Sequence, residues 1–269
     1  MVLASHPNPT APTPSHFSLS GRTALVTGGS RGIGLQVVTA LLEAGASVAF
    51  TYSTTSKDKL DSVISTLLAA NSGSTIKAYK CNVADRASVF DVTAQAAKDL
   101  GGLDIVVANA GIGAHYAAED YPEEEFRKML DVNFNGVFWT AQAAASVMKG
   151  IKTRGSIIFT ASVSALLVNV PQKQAAYNAA KAGVVHLAKS LAVEWVDFAR
   201  VNCVSPGYIA TEMLDVHPQE WRDAWFKLIP GARLCEPAEL KGTYVYLASD
   251  ASSYMTGANL VIDGGYTLP

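Results

Sequence analysis

The fold is decided by the turn Thr27-Gly-Gly-Ser-Arg-Gly-Ile-Gly34, which joins an apolar strand, Thr23–Thr27, to a helical pattern, Leu35–Ala44. Glycines in such a turn allow a tight bend, close backbone approach to a pyrophosphate and close packing of helix on strand. The N-terminus of the helix adds N–H donors and partial positive charge. The turn therefore predicts a dinucleotide site, although a glycine turn alone is also compatible with a purely structural loop. The candidate contacts are Gly28, Ser30, Arg31, Gly32, Ile33 and Gly34.

Outward from this turn, short apolar strands alternate with longer helical patterns. Continuous β-branched strands separated by helices indicate a parallel sheet that is covered on both faces. The expected fold class is therefore α/β, a single-domain Rossmann-type doubly wound parallel sheet. Strands are predicted at Thr23–Thr27, Ser47–Tyr52, Thr75–Lys80, Asp104–Ala108, Ser156–Thr160, Arg200–Val204 and Asn259–Ile262. Helices are predicted at Leu35–Ala44, Lys57–Ala70, Ala87–Leu100, Glu123–Lys149, Ala175–Phe198 and Pro237–Ser249.

The composition is typical of one large globular domain. The chain has 269 residues, of which 49% are hydrophobic and 16% charged. Because the net charge is only -2 and no basic block is present, neither nucleic acid nor an anionic membrane is expected as a partner. No apolar stretch is long enough to span a bilayer. Cys81, Cys203 and Cys235 are too few and too scattered for a disulfide framework, which favours a reducing compartment.

The first 18 residues differ from the rest of the chain. Pro7, Pro9, Pro12 and Pro14 stand there among Ser, Thr and Asn. Such a segment cannot bury a core, so residues 1–18 are expected to form a flexible tail and residues 19–269 the folded domain. The tail lacks the apolar stretch of a signal peptide and the arginines of a mitochondrial presequence, so a cytoplasmic location is expected.

A tyrosine and a lysine stand one helical turn apart in Ala175-Ala-Tyr-Asn-Ala-Ala-Lys181. Positions i and i+4 share one face of a helix, so the Tyr177 phenol and the Lys181 ammonium are expected to point into the same space. A nearby cation favours phenolate and lowers the pKa of a tyrosine, which can then exchange a proton with a substrate oxygen near neutral pH. Because Tyr-x-x-x-Lys is a common spacing, the pair alone would favour two surface residues on an Ala-rich helix.

This pair is one of six motifs that together resemble those of a known family. The motifs, in chain order, are Gly28-x-x-x-Gly32-x-Gly34, Asn109-Ala-Gly111, Asn133, Ser162, Tyr177 with Lys181, and Pro206-Gly207 with Thr211. In residue type and order they resemble the short-chain dehydrogenases/reductases, from about Ser18 to the C-terminus. The resemblance implies an enzyme that transfers a hydride between a nicotinamide cofactor and a small-molecule carbonyl or its alcohol.

The resemblance also implies a catalytic role for four residues. Tyr177 would donate the proton in reduction and accept it in oxidation. Lys181 would lower the pKa of Tyr177 and bind the nicotinamide ribose. Ser162 would hold the substrate oxygen, and Asn133 would hold a water that connects Lys181 to solvent.

The expected cofactor is NADP(H). An NAD site usually has an acid at the end of the second strand, but Phe50-Thr-Tyr-Ser-Thr-Thr55 has none before Asp58. Arg31 can instead make charge-assisted bonds to a 2′-phosphate. Asn82 stands where the family often has an aspartate near the adenine. The resemblance also implies that Thr211 and the Ile209 backbone bind the carboxamide. The remaining implied cofactor contacts, besides Tyr177 and Lys181, are Tyr52, Ser53, Thr54, Asn82, Val83, Asn109, Ala110, Gly111, Pro206, Gly207, Ile209 and Thr211.

Two serines lie near the end of the fifth strand. Ser162 is preferred as the catalytic one because Ser156–Ser162 aligns with the strand of the family. Ser164 is expected to be a loop hydroxyl that caps backbone, and it is also a candidate for the substrate site. The other substrate candidates are Asn169, Gln172, His115 and Met213. His115, His186 and His217 are scattered along the sequence, so no metal site is expected.

The segments around the catalytic helix are similar to fungal ketose and polyol reductases, such as sorbose reductase and NADP-dependent mannitol dehydrogenase. These segments are Asn169-Val-Pro-Gln172 before the helix and Glu194–Asn202 at its end. The similarity implies a ketose or polyol substrate. A secondary-metabolite ketone or iminium, a 3-oxoacyl thioester, and a non-enzymatic NADPH sensor are the alternatives.

The segment 208–230 is apolar enough for either of two arrangements. Its large side chains suit a mobile lid over the substrate, and they equally suit a helix pair packed on the core. The long helices Glu123–Lys149 and Ala175–Phe198 are rich in alanine. Because relatives commonly form tetramers through such helices, a homotetramer is expected by analogy.

Overall fold

The computed structural model describes residues 3–71, 73–215 and 217–268, and its centre is a seven-stranded parallel sheet. The strands are β1 Thr23–Val26, β2 Ser47–Tyr52, β3 Ile76–Lys80, β4 Ile105–Ala108, β5 Gly155–Thr160, β6 Ala199–Pro206 and β7 Asn259–Ile262. Their spatial order is β3-β2-β1-β4-β5-β6-β7. The chain reverses direction across the sheet between β1 and β4, and ligands bind at such a reversal, outside the carboxyl ends of the strands.

Helices cover both faces of the sheet. They are α1 Gly32–Glu43, α2 Lys57–Ala70, α3 Arg86–Leu100, α4 Glu123–Leu130, α5 Gly136–Ile151, α6 Ala175–Glu194, α7 Glu212–Asp215, α8 Gln219–Leu228 and α9 Lys241–Ala248. Apolar side chains of α1, α2 and α9 form one buried cluster with the sheet, and those of α3, α5 and α6 form another on the opposite face. The doubly wound fold predicted from the sequence is confirmed.

The register aligns the ends of the central strands. Val26 of β1 lies beside Phe50 of β2 on one side and Val107 of β4 on the other. The residues that follow these strands therefore meet at one edge of the sheet. β5 continues this edge, because Val107 also lies beside Ile158.

The predicted helix Glu123–Lys149 is wrong in one respect. A π-helical turn, Asp131–Asn135, separates α4 from α5. A π turn accommodates an extra residue within a helix and occurs often at functional sites. Here Asn133 is completely buried within that turn, a placement that a helical pattern in the sequence does not reveal.

The N-terminal segment contains one 3₁₀ turn, Thr13–Phe17. The Phe17 ring lies 6.2 Å, centroid to centroid, from the Tyr246 ring of α9. Flexibility of residues 1–18 stays a prediction. Within the ranges that the structure describes, every helix is too short or too polar to cross a bilayer.

Candidate active site

The glycine turn is fastened to the end of β4 by side-chain hydrogen bonds. The Asn109 amide donates to the carbonyl oxygens of Thr27 and Gly28, at 3.0 and 3.3 Å. The Thr27 hydroxyl accepts the N–H groups of Asn109 and Ala110, at 3.0 and 3.1 Å. A Cβ atom on Gly34 would overlap the Gly28 carbonyl group. Asn109 and Gly34 therefore shape the turn, and the Thr27 hydroxyl is a functional group that the sequence analysis passed over although it adjoins Gly28.

The turn fits the diphosphate of a dinucleotide. Helix α1 begins at Gly32, whose positive φ of 54° suits glycine. The first N–H groups of a helix have no acceptor within the helix. These groups and the helix dipole attract anions. A Cβ atom on Gly32 would lie 3.6 Å from the Thr211 methyl group. Thr211 thus faces the glycine turn across a crevice at the carboxyl ends of the strands. The turn forms one wall of this crevice and Thr211 lies on the opposite wall, where a cofactor contact was expected.

The opposite wall also presents the peptide groups of Ile209. Ile209 forms a parallel β-bridge with Cys235. The two hydrogen bonds of the bridge are made by the neighbours of Ile209: the Cys235 N–H donates to the Tyr208 carbonyl oxygen at 3.0 Å, and the Ala210 N–H donates to the Cys235 carbonyl oxygen at 2.9 Å. In a parallel pairing the peptide groups of the intervening residue point to the other side, so the Ile209 N–H and C=O face away from Cys235. They are suited to an amide such as a carboxamide. Pro206 ends β6, and the following Gly207 leaves no room for a Cβ beside Asp263.

Lys181 is fixed at the carboxyl end of β5. The residue is 3% exposed, and its ammonium donates to the Thr160 carbonyl oxygen at 2.8 Å. The Thr160 hydroxyl in turn lies 2.8 Å from the Tyr244 hydroxyl. The Lys181 ammonium lies 5.6 Å from the centroid of the Tyr177 ring. The predicted pair therefore does share one face of a helix, α6.

Ser162 joins this pair from the loop after β5. Its hydroxyl accepts the Ser164 N–H at 3.1 Å and lies 3.1 Å from the Ser164 hydroxyl. Its hydroxyl also acts on Tyr177, whose pKa it lowers. Ser162, Tyr177 and Lys181 thus meet at the end of β5, a constellation that can hold a carbonyl oxygen and exchange a proton with it.

The expected lowering of the Tyr177 pKa is wrong for this structure. Burial of the phenol raises the pKa of Tyr177, and the hydrogen bond with Ser162 only partly opposes this. Burial also lowers the pKa of Lys181, to about 8, and Lys181 is not among the groups that shift the pKa of Tyr177. The i,i+4 spacing predicted the shared face correctly, but the ammonium is directed to the Thr160 carbonyl. A neutral Tyr177 is the form that donates a proton in reduction.

Asn133 uses its side chain to clamp the loop after β4. Its amide nitrogen donates to the carbonyl oxygens of Ile112 and Met129, at 3.0 and 3.1 Å, and its amide oxygen accepts the Ile112 N–H at 3.1 Å. A Cβ on Gly111 would lie 2.8 Å from that oxygen and 3.9 Å from the Lys181 ammonium. Asn133 is therefore close to Lys181, and its amide oxygen, which accepts one N–H, keeps a second lone pair.

Ser164 and Asn169, two substrate candidates, lie in a buried polar network behind Ser162. The Ser164 hydroxyl donates to the Asn169 amide oxygen at 2.6 Å, and the Gln174 amide donates to both, at 3.2 and 2.9 Å. Ser164 and Asn169 are 5% and 4% exposed. Since the Ser164 hydroxyl already has one acceptor and two possible donors, its bonding capacity is filled. These residues support Ser162 from behind, and Gln174 was missed because its position directly before α6 carried no motif.

A second part of the network reaches the segment 208–230. The Trp225 indole donates to the Gln172 amide oxygen at 2.9 Å, and the Gln172 amide donates to the Tyr208 hydroxyl at 3.0 Å. Trp225 is 1% exposed and stacks on Tyr208 with ring centroids 4.4 Å apart. Of the two arrangements considered for this segment, Trp225 follows the core-facing one. Met213, in contrast, is 48% exposed and adjoins Gly113.

Two histidines from distant parts of the chain are neighbours, which corrects the expectation that the histidines are scattered. The His115 and His217 rings lie 4.7 Å apart, and the Trp221 ring lies 5.3 Å from His115. Burial lowers the pKa of both histidines. The His115 Nδ1 atom is buried without a hydrogen-bond partner among the described residues. Over those same residues, no group of three or more His, Cys, Asp or Glu side chains is arranged to hold a metal ion.

The other end of the crevice is exposed and polar. The Ser30 hydroxyl lies 2.7 Å from the Thr55 hydroxyl, which ties the glycine turn to the loop after β2. Arg31 extends into solvent, and Ser53 and Thr54 of this loop are exposed with it. Arg31 therefore follows a residue that is bonded to the loop after β2, the region where a 2′-phosphate was expected.

The candidate adenine contacts follow β3. Asn82 is exposed, and its side-chain oxygen accepts the Ala84 N–H at 3.2 Å. Val83 is 6% exposed and packs against Gly136. Tyr52, at the end of β2, is partly buried. The amide nitrogen of Asn82 forms no hydrogen bond within the described ranges, and its contact with a base edge stays a prediction.

Comparison with known proteins gives a consistent result. A family profile described as enoyl-(acyl carrier protein) reductase matches residues 28–267. A probable NADP-dependent mannitol dehydrogenase of Yarrowia lipolytica is 46% identical over 255 residues, which cover 94% of this chain and 90% of that protein. A sorbose reductase of Schizosaccharomyces pombe is 46% identical over 254 residues, covering 94% and 98%. The crystal structure of a short-chain type dehydrogenase/reductase from Mycobacterium marinum superposes with a TM-score of 0.91 at 45% identity, covering 96% of this chain and 100% of that one.

Proposed function

The chain belongs to the short-chain dehydrogenase/reductase family, and we propose that it is an NADPH-dependent carbonyl reductase that interconverts a ketose and a polyol. The observation that carries the proposal is the meeting of Ser162, Tyr177 and buried Lys181 at the end of β5, across the crevice from the glycine turn. The relatives named for sorbose and mannitol support the substrate class.

The protein side of the reaction is a proton transfer in a fixed geometry. Bound NADPH supplies the hydride to the carbonyl carbon. Ser162 donates a hydrogen bond to the carbonyl oxygen, and Tyr177 gives that oxygen its proton as negative charge develops. Lys181 stabilises the resulting phenolate and binds the nicotinamide ribose through the ammonium hydrogens that Thr160 leaves free. In oxidation Tyr177 takes the proton back.

The proton on Tyr177 is replaced through Lys181. With a pKa of about 8, the ammonium can pass a proton at neutral pH more readily than an exposed lysine. Asn133, which lies close to Lys181, would hold the water that continues the path to solvent. Much of the rate gain comes from this orientation, because reacting groups held in place lose little entropy in the transition state.

The cofactor is held along the whole crevice. The α1 N-terminus would bind the diphosphate, Thr211 and the Ile209 peptide groups would bind the carboxamide, and Arg31 would bind the 2′-phosphate. Asn109, Ala110 and Gly111 follow β4 beside the glycine turn, and hydrogen bonds from Asn109 and Ala110 to Thr27 hold the two segments together.

The substrate hydroxyls are expected to bind at the edge of the crevice formed by His115 and Met213. The Tyr116 N–H donates to the Lys173 carbonyl at 3.0 Å, which holds the loop of His115 beside the start of α6 and its Tyr177. The His115 Nδ1 atom is buried and unpartnered among the described residues, so a hydroxyl group there would gain a hydrogen bond without displacing one. Ser164 and Asn169 act behind Ser162.

The test is NADPH consumption, followed by absorbance, against ketoses, 1,2-diketones and acyl thioesters, and repeated with NADH. We expect turnover of ketoses with NADPH and much weaker turnover with NADH. Turnover of a thioester alone, or a strong preference for NADH, would contradict the proposal. Tight NADPH binding without turnover of any carbonyl would favour a sensor instead.

We also propose a homotetramer in the cytoplasm. The support is analogy with relatives that assemble through their two long helices, here α4–α5 and α6. Sedimentation at micromolar concentration tests it, with a mass of four chains as the expected result and a monomer as the contrary one.

A further inference from the structure

A three-residue ionic cluster lies at the exposed end of the crevice. Arg31 Nη1 is 3.5 Å from Glu212 Oε2, and Lys59 Nζ is 3.6 Å from Glu212 Oε1. The three residues come from the glycine turn, the first turn of α2 and the first residue of α7. Two cations from different elements thus converge on the two oxygens of one carboxylate.

The cluster lies where the 2′-phosphate on the adenosine ribose of a dinucleotide is expected. Arg31 directly precedes α1, and Lys59 follows the hydroxyl-rich loop that leaves β2. The Ser30–Thr55 hydrogen bond of 2.7 Å holds the glycine turn to that loop. The first strands of a doubly wound sheet place the adenosine ribose at this loop.

We propose that Lys59 and Arg31 together bind the 2′-phosphate of NADP(H), and that the Glu212 carboxylate competes with the phosphate for both cations. The proposal rests on the proposed function, since it concerns the same cofactor. A phosphate monoester carries about -1.5 to -2 charge at neutral pH, against -1 for a carboxylate, so it can displace Glu212 from the two cations. Lys59 was not among the residues that the sequence analysis selected.

The competition couples the cofactor to the segment 208–230. Glu212 adjoins Thr211, which faces the glycine turn across the crevice. When the phosphate takes Arg31 and Lys59, the residue after Thr211 loses its two ionic contacts with the opposite wall. Nucleotides without the 2′-phosphate carry no group that competes with Glu212 for the two cations. The Glu212 carboxylate therefore opposes their binding less strongly, and its removal should not improve their binding.

Nucleotide fragments test the proposal without any turnover. Binding of 2′,5′-ADP and of 5′-AMP is measured by calorimetry on the full chain and on the variants Lys59→Ala and Glu212→Gln. Lys57→Ala on α2 and Glu220→Gln on α8 are the matched controls, because both side chains are exposed and neither forms an ion pair among the described residues.

We expect Lys59→Ala to weaken 2′,5′-ADP by about 3-fold to 10-fold and Glu212→Gln to tighten it by about 2-fold to 5-fold. Binding of 5′-AMP should change less than about 2-fold in both. If Lys59→Ala behaves like Lys57→Ala, or if Glu212→Gln leaves binding unchanged or weakens it, the proposal is wrong. An unmodified chain that binds both fragments equally would overturn the NADP(H) preference itself. Normal fragment results without ketose turnover would overturn the substrate proposal alone.

Discussion

The two ends of the crevice are built on opposite principles. At the catalytic end Asn133, Ser162 and Lys181 are 0%, 9% and 3% exposed, and their side chains are already bonded to neighbouring groups. At the phosphate end the side chains of Arg31 and Lys59 are 65% and 73% exposed. Buried polar groups have a large effect when one partner is lost, whereas exposed ion pairs contribute little and are screened by salt. The comparison predicts large, salt-insensitive effects at the first end and small, salt-sensitive ones at the second.

The largest effect is expected from Tyr177→Phe. The ring remains, but the proton donor is lost, so kcat for ketose reduction should fall by about 10²-fold to 10⁴-fold. The dissociation constant of NADPH, measured by fluorescence titration, should change less than about 3-fold, because the lost hydroxyl acts on the substrate. Full turnover in this variant would refute the catalytic assignment.

The next effect concerns Lys181→Met. Loss of the cation should reduce turnover strongly. It should also stabilise the fold, because burying the charged ammonium costs free energy, as its lowered pKa of about 8 indicates. A methionine of similar size can be buried without that cost. We expect a gain of about 2 kcal/mol in the free energy of unfolding near pH 7, from urea titration without added cofactor, after allowance for the lost bond to Thr160.

The pH dependence of that gain identifies its cause. Below about pH 8 Lys181 is charged in both the folded and the unfolded chain, so the cost of burial is fully present. As the pH rises from about 8 towards the ordinary lysine value, the folded chain loses the proton first and the native protein gains stability. The difference between Lys181→Met and the native protein should therefore shrink towards about pH 10. A difference independent of pH would mean that the ammonium is not the cause.

A smaller effect is expected from Trp225→Phe. The variant removes the indole N–H that bonds to the Gln172 amide oxygen and leaves that buried acceptor unpaired. Unfolding should become easier by about 1 to 3 kcal/mol in urea titration. Phe226→Leu on the same helix, where the side chain is only partly buried, serves as a comparison and should cost less. Equal losses would contradict the importance of the hydrogen bond.

The smallest effect is that of salt. Between about 50 and 300 mM NaCl the Debye length falls to a few ångström, so exposed charges attract a phosphate less. The KM for NADPH should rise by about 2-fold to 5-fold while kcat stays constant, and the rise should be weaker in Arg31→Ala. If kcat fell instead, the catalytic end would be the salt-sensitive one, which reverses the comparison.

The sequence predicted most of the fold because glycine spacing and strand patterning are local signals. The turn after β1 and all seven strands could be read in this way. The shared face of Tyr177 and Lys181 followed from their i,i+4 spacing, and the place of Ser162 beside them was implied by the family resemblance. Helix bounds were less accurate. The π turn at Asp131–Asn135 has no periodic signature, and α6 ends at Glu194, short of the predicted Phe198, because the chain must turn before β6 begins at Ala199.

What the sequence could not give depends on tertiary contacts. The direction of the shift in the Tyr177 pKa follows from burial of the phenol, which residue spacing does not encode. The neighbouring positions of His115 and His217, about a hundred residues apart, arise only from folding. The burial of Ser164 likewise depends on Gln174 and the loop around it.

The central claim is that Tyr177 meets a nicotinamide held by the glycine turn. A crystal structure with NADP+ bound tests it most directly. We expect the diphosphate at the N-terminus of α1, the Lys181 ammonium bonded to the nicotinamide ribose, and the Tyr177 hydroxyl facing the pocket beside the reactive ring carbon, with room for a substrate oxygen at about 3 Å from that hydroxyl. A cofactor seated elsewhere, or a Tyr177 hydroxyl turned away from the ring, would contradict the account.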